Sequence, residues 1–218
     1  MVNLGLIYKL AEVLDVGHKG ESEAAKLFKA AVDKDKANYP NDISKRNPAA
    51  LVNLGVIEYE FNRYEDAAIL FLDALAIKPD DQEALCNLGL ALKHTAYKEY
   101  ASLALEEAVN VSPGNTFVLT NYMMLLLESQ KFDDFKKVLP HAKRIMDQKE
   151  FSEINKLFEE FQQAVAGSID PSIPEVLVAP VPEAMKGKSF STDTKNTLKK
   201  QLMTHVRPIQ EVEDDVDV

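Results

Sequence analysis

Four asparagines carry the most suggestive chemistry in this chain. Asn53, Asn87 and Asn121 follow one another at a constant step of 34, and Asn3 opens a similar stretch at the start. A carboxamide offers one acceptor and two donors, so a row of them can pair with the amides and carbonyls of an extended peptide whatever its side chains. The other reactive residue types are scattered. His18, His94, His141 and His205 lie far apart, with no cysteine or carboxylate at metal-ligand spacing, and Cys86 is the single cysteine. There is no glycine-rich phosphate loop and no nucleophile set beside a base. The pair Asp133-Asp134 reads as the start of a helix, favoured there by the helix dipole. His94 and Cys86 read as walls of a binding surface. The expectation is a non-enzymatic protein with no catalytic residues, no metal and no cofactor.

Composition narrows the partners. Of 218 residues, 25 are Lys or Arg and 35 are Asp or Glu, giving a formal charge of -10; a nucleic-acid surface needs clustered cations, so none is expected. One cysteine excludes an internal disulfide framework and suits a reducing compartment. The apolar stretches are too short to span a bilayer. The opening MVNLGLIYKLAEVLD is amphipathic, with acidic residues and no arginine, so it fits neither a secretion signal nor a transit peptide and reads as a helix. A cytoplasmic location is expected, including one within a cytoskeletal, ciliary or organelle-surface assembly.

The elements that must position the asparagines come from the stretch Leu51 to Pro79. Apolar residues recur at three- and four-residue steps through Leu51, Leu54 and Gly55, then through Ala67, Phe71, Ala74 and Leu75, with Asn62-Arg63 between the runs. The spacing predicts two helices in a hairpin, stopped by Pro79. Adding 34 to Leu51, Asn53, Leu54, Gly55, Ala67, Ala74 and Pro79 lands on Leu85, Asn87, Leu88, Gly89, Ala101, Ala108 and Pro113. A further step reaches Leu119, Asn121, Tyr122, Met123, Phe135, Ala142 and Asp147, a degenerate copy in register. Small residues at the crossings let two helices approach closely, and Leu51, Leu54, Phe71 and Leu75 fill what remains. A single hairpin cannot bury both faces, so hairpins must stack.

This pattern resembles the tetratricopeptide repeat family, whose unit of about 34 residues carries Leu-Gly, Ala, Phe, Ala and Pro at fixed offsets. The resemblance covers roughly residues 1 to 147. It implies an all-α, right-handed α-solenoid of helix hairpins, with a terminal capping helix and an extended tail. It also places the asparagine position on the concave side of each first helix. The partner-binding residues expected there are Asn53, Val56, Asn87, Leu90, Lys93, His94, Asn121 and Met124. The carboxylate clamp of lysines and arginines found in several co-chaperones of this family is absent, with Val52, Glu83 and Asn87 in its place. The expected ligand is a protein partner presenting an extended, apolar or mildly basic peptide, within a multi-subunit assembly.

The remaining chain departs from regularity. Residues 1–47 form a stretched repeat: Gly5 and Ala24 stand farther apart than Gly55 and Ala67, and Ala31 and Leu51 farther apart than Ala74 and Leu85. These surpluses, seven positions and nine, the second lying in KANYPNDISKRNP, read as surface loops. Met1 falls at the fourth position of its repeat, which fits a piece of a longer array, a face covered by a partner, or a short first helix. Repeats at 48–81, 82–115 and 116–149 follow, and Pro140 is expected to kink or interrupt its helix. Residues 150–167 read as a capping helix with Phe151, Ile154, Leu157, Phe158, Phe161 and Val165 on its apolar face and Gly167 as its C-cap. The span 168–218 reads as a Pro-containing, acidic-ended tail. Val176, Leu177, Val178 and Val181 are its expected anchor, and a short helix in TDTKNTLKKQLM is expected with Thr192 or Asp193 as cap and Leu198 and Leu202 on one side. The sequence supports an adaptor or structural subunit that uses this tail as a second attachment. The alternative is a regulatory or co-chaperone-type subunit whose tail occupies its own groove.

Overall fold

A computed structural model describes residues 23–168 and 190–205. Among them are nine α-helices and no strand: α1 Glu23–Asn38, α2 Pro48–Glu60, α3 Tyr64–Ile77, α4 Gln82–Leu92, α5 Lys98–Val111, α6 Thr116–Glu128, α7 Phe132–Ile145, α8 Gln148–Ser168 and α9 Thr192–His205, with a 3₁₀ turn at Ile43–Lys45. The starts of the first helices follow the constant step because their caps do. Asn47 accepts from the Ala49 amide at 3.0 Å ahead of Pro48, Asp81 from Ala84 at 3.1 Å, and Asn115 from Phe117 and Val118 at 3.1 and 3.4 Å. Each side chain satisfies an amide that the helix itself cannot. The hairpin turns α2–α3 and α6–α7 also share a device. Asn62 and Gln130 take positive φ (59° and 54°), and the following amides of Arg63 and Lys131 bond back to the carbonyls of Glu58 and Leu126. This is a left-handed helix stop.

Consecutive helices pack in order, α2 on α3, α3 on α4, α4 on α5 and onward to α8. Glycine decides how closely the first two hairpins cross. A Cβ on Gly55 would stand 2.6 Å from the Phe71 ring, and one on Gly89 would stand 2.5 Å from Leu105 Cγ and 3.2 Å from the Ala101 carbonyl. Ala67, Phe71, Ala74, Leu85, Leu88, Ala101, Leu105 and Ala108 are buried together in one continuous core that runs from α1 to α9. The Leu-Gly and alanine positions of the repeat are therefore its helix contacts.

Several expectations are corrected. Pro140 lies inside α7, which continues from Phe132 to Ile145; the proline removes one amide donor, and the helix is not interrupted. Gly167 does not end α8, which runs to Ser168. The surplus between α1 and α2 is a surface connection, as expected, and it is tied down: Arg46 donates to the carbonyls of Tyr39 (3.1 and 2.9 Å) and Pro40 (3.1 Å), and the Asn47 amide donates to Asp35 at 2.8 Å. The expected helix in the tail is present as α9, with Leu198 and Leu202 fully buried. Its cap is Ser191, whose hydroxyl accepts from the Thr194 amide at 3.3 Å, in place of Thr192 or Asp193. On α8, Ile154 and Phe158 are the buried members of the expected apolar face. Asn3 and the anchor residues Val176, Leu177, Val178 and Val181 lie outside the described residues.

Candidate functional site

Helices α2, α4 and α6, the first of each hairpin, present Val56, Leu90 and Met124 at one repeat position, and all three are only half-buried. Each packs one edge on the core and leaves the other on the surface. At the start of α6, Phe117 is 63% exposed, which extends the apolar row by a whole ring.

The asparagines beside this row are not equivalent. Asn53 is buried, 7% exposed. The Asn121 amide donates to the Phe117 carbonyl of its own helix at 3.0 Å, so one of its donors is already used. The Asn87 Nδ2 is buried with no hydrogen-bond partner among the described residues, a state that costs free energy until an acceptor is found. The structure thus brings the three to one face of three neighbouring helices and gives each a different environment.

Charge is partly cancelled on this face. Lys93 on α4 donates to Glu128 on α6 at 2.8 Å, an ion pair that ties adjacent hairpins. Burial, and then Asp81, pushes the Glu83 carboxyl above its usual range. His94 is exposed and stacks on the Tyr64 ring at 4.5 Å, with Tyr59 edge-on to both. Cys86 is buried, and burial followed by Glu83 pushes its thiol up to about 12, so it stays protonated and is a poor nucleophile. Among the described residues no group of three His, Cys, Asp or Glu could hold a metal ion, and no helix is long and apolar enough to cross a membrane.

Two features on the other row of helices escaped the sequence. Helix α9 returns to pack on α3. Lys199 pairs with Asp73, Lys195 donates to the Pro79 carbonyl at 3.3 Å, and the Tyr100 hydroxyl of α5 donates to Gln201 at 3.5 Å. Lys195 meeting the end of α3 while Lys199 meets its middle makes the two helices antiparallel. Lys195 also lies 5.2 Å over the Phe190 ring, and burial lowers its ammonium below its ordinary range against the pull of Glu107. The second feature is a cavity of about 840 Å³ between α5 and α7, floored by Tyr122 and Leu126. The only sequence signal for the first was the spacing of Leu198 and Leu202 with lysines between; nothing in the sequence marked the second.

No family model matches the chain, and no curated protein matches it. Among solved structures the chain is similar to the crystal structure of MamA, at 17% identity and a TM-score of 0.39, over 75% of this chain and 90% of that one. A likeness that loose carries no functional argument. The paired helices, their caps and their glycine crossings describe the fold by themselves.

Proposed function

We propose that this protein is a non-catalytic interaction module, an adaptor or structural subunit of a larger assembly, that holds an extended peptide against the first-helix face. The observation that carries the reading is the row Val56, Leu90 and Met124, half-exposed at one repeat position on three successive helices and continued by Phe117. Apolar surface recurring at a fixed step suits an extended ligand, whose side chains also recur at a fixed step. With Lys93 neutralised by Glu128, the remaining charge at the rim is acidic, which favours apolar or mildly basic peptides. The resemblance to tetratricopeptide repeats supports the same face, and the solenoid is expected to be right-handed with α8 as its cap. The anchoring role of Val176, Leu177, Val178 and Val181 is part of this proposal. Helix α9 sits on α3, away from the row, so the described part of the tail leaves this face open.

The test is selection of peptides from a random display library on the full chain, followed by titration against Leu90→Glu and Asn87→Ala. Enriched apolar and basic peptides that lose binding tenfold or more to Leu90→Glu, with unchanged melting, are expected. Selected peptides indifferent to both substitutions would place recognition elsewhere.

A further inference from the structure

We propose that residues 206–218, the acidic stretch that follows α9, dock in the groove where α1, α2, α3 and α9 meet. The groove encloses about 330 Å³ and lies apart from the row of Val56, Leu90 and Met124. Val32 and Leu51 are buried at its floor, whereas Ile43 and Met203 at its edges are 46% and 59% exposed. An occupant with small apolar side chains would take the exposed parts of both out of water.

The charges of the groove select an acidic occupant. Lys36, Arg46 and Lys199 line it against Asp35 and Asp73, and both carboxylates are already engaged. Asp73 pairs with Lys199, and Asp35 accepts from the Asn47 amide at 2.8 Å. Arg46 spends its N–H groups on the carbonyls of Tyr39 and Pro40, which leaves its charge without a counter-ion among the described residues. Lys36 is exposed and has no polar partner among them. Residues 206–218 supply the complement: Glu211, Glu213, Asp214, Asp215 and Asp217 stand against the single Arg207, with Val206, Ile209, Val212 and Val216 spaced among them. Their place in the chain supplies the reach. They follow directly on His205, the last residue of α9, and Met203 one turn back already lines the groove. At roughly 3.3 Å per extended residue, the eight steps from Met203 carry Glu211 up to about 26 Å, so every part of the groove is accessible to the carboxylates. A tether this short holds the segment at an effective concentration in the millimolar range, where a few exposed charge pairs and valine contacts suffice. The rim of the first-helix face is acidic and repels the same segment.

The test uses the full chain with a photo-crosslinking side chain in place of Val212, irradiated at low salt and mapped by mass spectrometry. Crosslinks to residues 32–51 are expected, with a yield independent of protein concentration. Lys36→Glu, at an exposed position that α1 does not need for packing, is expected to lower that yield fivefold or more, and 1 M salt is expected to do the same. Adding Asp214→Lys and Asp215→Lys to Lys36→Glu is expected to restore it, which a merely misfolded variant would not allow. Crosslinks on Val56, Leu90 or Met124 would overturn the proposal, because the segment then lies on the first-helix face. So would a yield that rises with concentration, which means capture by a second copy, a yield indifferent to Lys36→Glu, or labelling spread evenly over the helices.

Discussion

The hairpins α4–α5 and α6–α7 lie one repeat apart, begin with equivalent caps at Asp81 and Asn115, and are built differently where their helices cross. In the first, Gly89 faces Leu105 and Ala101, and the two helices meet almost backbone to backbone. In the second, the corresponding positions hold Met123 and Phe135, both fully buried, and α6 and α7 form a looser pair. The bulk is absorbed by the next element: Phe135 stacks on Phe158 of α8 at 4.5 Å, and Phe132 meets the same ring edge-on at 5.9 Å. The difference shows that the caps set the period, whereas side-chain size at the crossing sets the separation. A hairpin with large crossing residues becomes dependent on its neighbour, as α6–α7 depends on α8.

Six substitutions, two of them controls at the equivalent position, probe that contrast from the largest expected effect to the smallest. Phe135→Ala removes the ring shared with α8 and is expected to cost about 3–5 kcal/mol in denaturant titration, with amide exchange accelerating in α7 and α8 before α4 and α5. Equal acceleration throughout would mean that α8 is not the partner on which the third hairpin leans. Gly89→Ala adds a single methyl against Leu105 and the Ala101 carbonyl; a loss of about 1–3 kcal/mol is expected despite the better helix propensity of alanine. A gain instead would show that the second hairpin can open as the third has. Asn115→Ala deletes the α6 cap at a cost of about 1 kcal/mol, and Asp81→Ala should match it, since both caps serve the same position. Gln130→Gly relieves a side chain held at φ 54° and should stabilise by about 0.5–1 kcal/mol. Ala96→Gly, at the equivalent point of the α4–α5 turn, should give no gain. That turn closes without positive φ, through Thr95, whose hydroxyl donates to Leu92 and accepts from the Tyr97 amide, each at 3.0 Å. A stabilising Ala96→Gly would erase the distinction between the turns.

Much of the architecture was legible because it is local. Leu, Gly and Ala at fixed offsets mark helix contacts that the structure places in the core, and the apolar spacing of Leu198 and Leu202 announced α9. Pro140 misled because it stands on the exposed side of α7, where the one carbonyl left without its amide can bond water and the helix runs on. The asparagine row was legible as a period but not as a site. Whether an amide points to solvent, to its own helix as in Asn121, or into a closed space as in Asn87 depends on packing around it. The Lys93–Glu128 pair joins residues 35 apart, a separation that no helical period encodes.

By itself, then, the sequence determined the helices, their constant repeat step and the faces they bury, because caps, turn residues and apolar spacing act within a few residues of one another. The tertiary structure alone decided where α9 docks, which polar groups find partners, and that no described helix fills the groove beyond α5. The docking of α9 depends on contacts between residues more than a hundred positions apart, Lys199 with Asp73 and Lys195 with Pro79. Their pairing is settled by shape and charge in space.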